Sequence, residues 1–238
     1  MPTTFLSARW EHLVMANYPV PPEVLQPFLP AGVELDSFQG KTYVSLVGFL
    51  FKNTRLFGIP VPFFGSFEEI NLRFYVKRES DEGLKRGVVF INETVPYRAV
   101  AWLANKLYKE HYTAVPTNHH TAQDGPRFKL RYEWAQQKHR HFIAVEAATE
   151  VMPMQTGSAE EFIFEHYYGY TRISETETVE YRVLHPRWNI RPVLNWEVTC
   201  NFAAMYGTAF GFLNAQQPES VMLADGSPVQ VLWKRNRL

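Results

Sequence analysis

The stretch SFEEINLRFYVKR, residues 66–78, alternates between apolar and polar side chains, which is the pattern of a β-strand. One side of this strand carries Ile70, Leu72, Phe74 and Val76, and the other carries Glu69, Asn71, Arg73, Tyr75 and Lys77. The polar side is either a solvated outer face or the lining of a cavity in which charges are held for chemistry. Mixed polar rows are common on exposed faces, where they contribute little, so the spacing alone leaves both interpretations open.

The composition of the 238-residue chain predicts a strand-rich protein with a sizeable core. Hydrophobic residues make up 46% and aromatic residues 15%, which suits β-structure and apolar pockets. The 24 basic and 24 acidic side chains balance to a net charge of zero, which argues against electrostatic binding of nucleic acid or of an anionic membrane. The expected partner is a small-molecule ligand, with no nucleic acid and no membrane.

Cysteine usage and the N-terminal sequence predict a cytoplasmic protein. Cys200 is the single cysteine, so no internal disulfide can form. Residues 1–12 lack the basic and apolar regions of a secretory signal. Apolar runs in the chain also stay shorter than the ~20 residues that a membrane helix needs. A reducing cytoplasm is therefore the expected location.

The patterns along the chain predict a single α+β domain over residues 1–238. Many segments read as strands, and only two or three modest helices accompany them. The chain shows no internal repeat, low-complexity tract or linker, and strands and helices do not alternate strictly. This combination is typical of an antiparallel sheet or barrel with helices at its side.

Two helices and one loop have clear local signals. PYRAVAWLANKLYKEHY begins at Pro96 and repeats apolar residues at helical spacing. A second, short helix opens with Ser158 and Glu161 at the spacing of a capping box. Asp225 and Gly226 are predicted to form a loop between two apolar runs.

The histidines invite a test for a metal site. His111, His119 and His120 lie close together in the sequence, and His139 and His141 are two apart on a predicted strand, which places them on one face. No third ligand at recognisable spacing accompanies His139 and His141, and the helical motif of two histidines with a glutamate is absent. Glycine loops for phosphate are absent too. The sequence predicts no metal and no cofactor, with His119 and His120 in a surface loop.

The segment EHYYGYTRI offers further candidate ligand-binding side chains. His166 and Tyr170 are four residues apart, so a helix would place both on one face, where they could present proton donors to a pocket. The alternative is that both lie at the edge of the core.

Ordered motifs run almost from end to end of the chain. They are YPVPPEVLQPFLPAGVELDSFQGKTYVSLVGFLF, FEEINLRFYV, RGVVFINETVPYRAVAWLANKLYKEHY, EEFIFEHYYGYTR and VLHPRW. In these motifs the chain resembles the YqjF-like bacterial family of uncharacterised proteins (domain of unknown function 2071). That family is similar in fold to acetoacetate decarboxylase, which implies a closed, cone-like antiparallel β-barrel with a few peripheral helices and an interior cavity. Under this resemblance Glu69 matches a cavity glutamate, which favours the inward orientation of the polar row.

The resemblance does not extend to the decarboxylase mechanism. Acetoacetate decarboxylase forms a Schiff base through one lysine of a pair, and this pair follows a helix that corresponds here to AVAWLANKLYKE. In this chain no lysine occurs from His111 through Thr121, and Lys106 and Lys109 are expected to point from the helix into solvent. We therefore do not expect Schiff-base activity.

Two functions stay open on such a barrel. One is an acid–base enzyme that acts on a small oxygenated or anionic molecule with Glu69 as its catalytic residue. The other is a non-catalytic sensor or carrier of such a molecule. In both, the predicted ligand-binding residues are Asn71, Arg73, Arg98, Tyr112, His166 and Tyr170. A homo-oligomer is expected from the family fold alone.

Overall fold

The fold is that of a computed structural model, which describes residues 4–136 and 138–238, without the side chains at positions 107, 108, 234 and 235. Positions 1–3 and 137 of the predicted domain lie outside the described residues. The strands are β1 (Thr4–Val20), β2 (Glu34–Leu35), β3 (Thr42–Leu56), β4 (Ile59–Pro60), β5 (Phe67–Ser80), β6 (Gly83–Val95), β7 (Tyr112–Ala114), β8 (Thr117–Asp124), β9 (Arg127–Gln136), β10 (His139–Ala148), β11 (Met152–Pro153), β12 (Tyr168–Arg172), β13 (Thr178–Leu184), β14 (Asn189–Arg191), β15 (Val193–Thr199) and β16 (Ser220–Arg237). The helices are α1 (Pro22–Leu25), α2 (Arg98–Tyr108), α3 (Ala159–Phe164) and α4 (Phe202–Tyr206), with 3-10 helices at Gln26–Phe28 and Thr208–Ala215.

The strands form two sheets, which confirms the predicted α+β class. The main sheet has 12 strands, with β1-β3-β5-β6-β12-β13-β16-β14-β11 as its longest path, and β1 also pairs with β16. The second sheet has the order β15-β10-β9-β8. Most pairs are antiparallel, but β6 runs parallel to both β7 and β12. The expectation of an antiparallel sheet is therefore wrong at β6. The crossover that a parallel neighbour needs is supplied by α2, which lies between β6 and β7 in the chain, and β7 pairs with the last three residues of β6.

Strand β5 is buried on both of its faces. Ile70, Leu72 and Phe74 are fully buried and belong to a core that also contains residues of the second sheet. The two sheets approach closely because β3 carries a glycine at this contact. A Cβ atom at Gly48 would lie only 2.8 Å from the ring of Tyr132. The apolar side of β5 therefore holds the two sheets together.

The opposite face of β5 belongs to a second apolar cluster. This cluster includes Tyr75 and Phe67 of β5, the aromatic residues Phe49 and Phe51 of β3, and Phe162 of α3. Helix α2 is amphipathic and contributes Val100 and Ala101 to the same cluster. The polar row of β5 thus lies on the side that α2 and α3 cover.

Both predicted helices are confirmed. Helix α2 begins at Arg98, two positions after the proline that marks its start in the sequence. At α3 the Ser158 side chain accepts a hydrogen bond from the backbone N–H of Glu161 at 3.2 Å, as in a capping box. No helix among residues 4–136 and 138–238 is long and apolar enough to cross a membrane.

Two loop predictions are wrong. Asp225 and Gly226 lie inside β16, where Gly226 pairs with Glu11 and has a φ of 86°. A Cβ atom there would come within 2.1 Å of the Trp10 carbonyl oxygen, so the glycine serves close strand approach and not a turn. His119 and His120 lie in β8, because this polar segment pairs with β9 along its whole length.

Candidate functional site

A cavity of about 170 Å³ lies against the face of β5 that carries Glu69 and Arg73. Its walls are mostly apolar and aromatic, and they include Trp10, Phe49, Phe51, Phe67, Phe90 and Trp188. Glu69 and Asn71 are 2% and 1% exposed, and together with Arg73 they line this cavity, so the first three residues of the polar row border the cavity. Apolar walls with a few convergent polar groups are typical of a ligand site.

Glu69 is a buried carboxyl with a perturbed pKa. Its Oε1 accepts a hydrogen bond from Asn71 Nδ2 at 3.1 Å, and its Oε2 accepts one from the Tyr112 hydroxyl at 3.2 Å. Burial raises the pKa of Glu69 to about 7, against the opposing effects of these two hydrogen bonds and of the Arg73 charge. A carboxyl with such a pKa can both accept and donate a proton near neutral pH.

Arg73 supplies positive charge to the same wall. Its Nη2 donates to the carbonyl oxygen of Ile163 at 3.2 Å and contacts Met15 Sδ at 3.4 Å, while Nε has no hydrogen-bond partner among the described residues. Among the described residues that line the cavity, Arg73 is the one arginine or lysine. Within the described lining it is therefore the side chain that offers a permanent positive charge to an anionic group.

A second buried carboxyl, Glu93 of β6, stands next to Glu69. It is 3% exposed, pairs with Asn71 across β5 and β6, and lines the cavity. Burial raises the pKa of Glu93 well above its usual range, the charges of Glu110 and Glu69 raise it further, and a hydrogen bond with Tyr112 opposes the rise. Burial likewise raises the pKa of the Tyr112 phenol, which therefore stays protonated and links the two carboxyls.

A third carboxyl, Glu110, completes this acidic end of the cavity, which we define as Glu69, Glu93 and Glu110. Glu110 Oε1 accepts hydrogen bonds from Tyr181, at 3.1 Å, and from Thr171. Burial raises the pKa of Glu110 to about 7, against these two hydrogen bonds. Because three buried carboxyls repel one another when charged, the cluster retains protons at neutral pH.

His166 lines the cavity near Arg73. Its Nε2 lies 3.7 Å from Asp36 Oδ2, and Asp36 also pairs with Arg86 at 2.9 Å. Burial lowers the pKa of His166 to about 4, although the nearby Asp36 carboxylate acts in the opposite direction. His166 is therefore neutral at pH 7, and it offers a ligand one ring N–H donor and one acceptor.

The structure places two predicted ligand-binding residues away from the cavity. Arg98 is exposed at the start of α2, because the helix turns its apolar face inward. Tyr170 lies in β12 and not on a helix with His166, since α3 ends at Phe164. Its hydroxyl donates to Glu180 at 3.1 Å, on the other side of the strand from the cavity-lining Gly169.

The described part of the cavity holds neither a lysine nor a grouping suited to a metal. No lysine is among the described residues that line it, and Lys106 and Lys109 are exposed on and after α2. Within residues 4–136 and 138–238, no three His, Cys, Asp or Glu side chains are arranged to hold a metal ion. His139 is exposed and His141 is buried beside Trp134.

Sequence reasoning missed Glu93 and Glu110. A regular hairpin from the turn at Ser80 and Gly83 would place Asn92 opposite Asn71, but a register shift in the β5–β6 pairing puts Glu93 there. Glu110 follows Lys109, which ends α2 with a φ of 61° and so redirects the chain. A bulge and a left-handed helix end leave no periodic signal in the sequence.

The chain matches a family model over residues 7–228. This family is DUF2071, described as an uncharacterized conserved protein. The chain belongs to the DUF2071 family. A curated relative, the uncharacterized protein YqjF of Bacillus subtilis (strain 168), is 33% identical over 76 residues, which cover 32% of this chain and 31% of that protein. The prediction of a YqjF-like, DUF2071 protein is confirmed.

Solved structures show what fold this DUF2071 chain has. It is similar to MppR, an enduracididine biosynthesis enzyme, in complex with pyruvate, with a TM-score of 0.66, 12% identity, and coverage of 100% of this chain and 91% of that one. It is similar also to acetoacetate decarboxylase from Legionella pneumophila, with a TM-score of 0.66, 11% identity, and coverage of 100% and 90%. The predicted likeness to the acetoacetate decarboxylase fold is confirmed.

Proposed function

We propose that the protein binds a small oxygenated or anionic molecule in this cavity and acts on it as an acid–base enzyme. In this proposal Arg73 binds the anionic or oxygenated group, and Glu69 is the catalytic acid or base. The observation that carries it is Glu69 itself, a carboxyl buried in an aromatic cavity with a pKa raised to about 7. A group whose pKa lies near the working pH is the most effective general acid or base.

Hydrogen bonds around Glu69 support a positioned role for its carboxyl. Asn71 and Tyr112 hold one oxygen each, so the group keeps a fixed orientation in either protonation state. A fixed orientation is what proton transfer to a bound molecule requires. Arg73, four residues from Glu69 on the same strand face, supplies the complementary charge for an oxygen-rich ligand.

A Schiff-base mechanism is not part of the proposal. It needs a lysine amine in the cavity, and no lysine is found among the described residues that line it. The similarity to MppR in complex with pyruvate favours oxo acids among the first compounds to test, although at 12% identity that similarity concerns the fold. The reaction class that fits is a lyase, hydrolase or isomerase reaction driven by proton transfer.

A thermal-shift screen tests the binding part of the proposal. Small carboxylic acids, oxo acids and lactones are added to the natural protein, to Arg73→Ala and to Arg98→Ala. We expect stabilisation of the natural protein and of Arg98→Ala, which loses an exposed arginine outside the cavity, and none of Arg73→Ala. Stabilisation that persists in Arg73→Ala contradicts the binding role of Arg73.

Turnover of the compounds that bind tests the catalytic part. Glu69→Gln keeps the shape of the side chain but cannot exchange a proton, so we expect it to lower turnover at least about a hundredfold. Glu68→Gln, one residue away on the opposite face of β5, is the matched control and keeps its activity. Equal activity of both variants leaves a sensor or carrier as the function.

We propose a closed barrel, because β1 pairs with both β3 and β16. We propose a single domain, because β5 contributes to both apolar clusters. A cytoplasmic location is favoured by the single Cys200, and a homo-oligomer by the family fold alone.

A further inference from the structure

The acidic end of the cavity contains buried hydrogen-bond acceptors that lack donors. Asn71 Oδ1 and Glu93 Oε2 have no partner among the described residues, and both side chains are at least nine-tenths buried. The orientation of the Asn71 amide is fixed, because its nitrogen donates to Glu69. The atom left over is therefore an oxygen. When the carboxyls are ionised, these buried acceptors lack donors, which is unfavourable, so a donor from a ligand would complete the site in that state.

The two acceptors stand next to each other and face the same space. Asn71 and Glu93 are directly opposite in the β5–β6 pairing, and both line the cavity. The groups that face them are Glu69 on β5, Glu110 after α2, Tyr112 on β7 and Tyr181 on β13. None of the three carboxyls forms an ion pair with a lysine or arginine in the described part of the chain. The acidic end thus has an excess of acceptors and of potential negative charge.

We propose that the acidic end of the cavity binds the protonated amine of the ligand. This inference rests on the proposed function and narrows its substrate class: the ligand is a small amino acid whose oxygenated group faces Arg73 and whose amine faces Glu93 and Asn71. Arg73 and Asn71 are two residues apart on one strand, so the two groups of the ligand are separated by about 7 Å. An ammonium group has three N–H donors, which suits several separate acceptors.

Binding of an amine changes the protonation of the acidic end. A positive charge among the carboxyls favours their ionised forms and so lowers the pKa of each. At neutral pH, where burial keeps protons on the cluster, the amine therefore displaces protons into solution. A ligand that carries only a carboxylate does not displace them.

Calorimetry with two probes of equal chain length tests the inference. The probes are ε-aminocaproate and caproate, which differ only in the terminal amine. We expect ε-aminocaproate to bind at least about tenfold more tightly than caproate and to release protons, which is measured from the dependence of the heat on the buffer. Equal affinity of the two probes overturns the inference and leaves the proposed function standing. Absence of binding by both probes contradicts the inference and the proposed function together.

A variant pair assigns the effect to the acidic end. Glu93→Gln keeps the size of the side chain and removes its ability to ionise, and we expect it to lose both the tenfold preference and the proton release while it still binds caproate. Glu68→Gln is the matched control and keeps both. Retention of the preference in Glu93→Gln overturns the assignment. If Glu93→Gln does not fold, the ratio of the two affinities in the natural protein decides the question.

Discussion

Glu68 and Glu69 are neighbours in the sequence, but they lie in opposite environments because successive residues of a strand face opposite sides. Glu68 accepts hydrogen bonds from His119 at 2.5 Å and from Thr117 at 2.9 Å. Burial raises its pKa, but these hydrogen bonds outweigh burial and leave it below the usual value. At Glu69 the hydrogen bonds from Asn71 and Tyr112 and the charge of Arg73 do not outweigh burial, and burial raises the pKa to about 7.

The difference between the two carboxyls follows from what covers each face of β5. On the Glu68 side the second sheet brings a histidine into contact with the carboxylate. On the Glu69 side the neighbours are amide, phenol and carboxyl groups around a cavity, with Arg73 at more distance. On the Glu68 face the carboxylate is paired with donors of the second sheet, and this pairing contributes to stability. On the Glu69 face the carboxyl borders a cavity, and this cavity is available for a ligand.

The largest expected contrast concerns packing on the two sides. Leu72→Ala removes a fully buried side chain between the two sheets, and we expect it to lower the free energy of unfolding by about 2–5 kcal/mol. Leu103→Ala removes a half-buried side chain that already borders the cavity, so we expect a loss below about 2 kcal/mol. Urea denaturation measures both. Equal losses of unfolding free energy in the two variants would contradict a difference in packing between the sheet-facing side of β5 and its cavity side.

A smaller contrast concerns the pH dependence of stability. The folded-state pKa of Glu69 lies above its ordinary 4.5, so its favourable contribution is complete below about pH 4.5 and is lost as the pH rises through 7. The natural protein should therefore lose stability relative to Glu69→Gln between pH 5 and pH 8, by on the order of 2 kcal/mol.

Glu68 should behave in the opposite way. Its pKa is lowered by folding, so its contribution is present above pH 4.5 and is lost as the pH falls. The natural protein should be more stable than Glu68→Gln at pH 7, by about 1 kcal/mol, and should lose this advantage in acid. Urea denaturation across the pH range checks both variants. If the stability difference between the natural protein and each variant changes with pH in the same direction for Glu68→Gln and Glu69→Gln, the proposed difference between the two carboxyls is wrong.

The sequence predicts the strand, its two faces and the family, because periodicity and ordered motifs are local signals. It also places Glu69, Asn71 and Arg73 on one face, and the structure brings Tyr112 and His166 to the same cavity. The alternation of apolar and polar residues is the same whether the polar face is exposed to solvent or lines a cavity. The packing of α2 and α3 over this face decides between these two possibilities.

What the sequence could not predict depends on irregular backbone or on long-range pairing. Glu93 reaches the cavity through a register shift, and Glu110 through a left-handed residue after α2. The polar segment around His119 predicts a loop, but pairing with β9 makes it a strand. The spacing of Tyr170 from His166 would fit one face of a helix, but α3 ends before either residue.

We propose that Glu69 is a buried carboxyl that exchanges its proton near neutral pH. A carbon-13 NMR titration of the glutamate side-chain carboxyl groups tests this proposal directly. Glu69→Gln and Glu68→Gln assign the two resonances by their loss. We predict a midpoint near pH 7 for Glu69 and one below the ordinary 4.5 for Glu68. A midpoint for Glu69 at or below 4.5 would contradict the account.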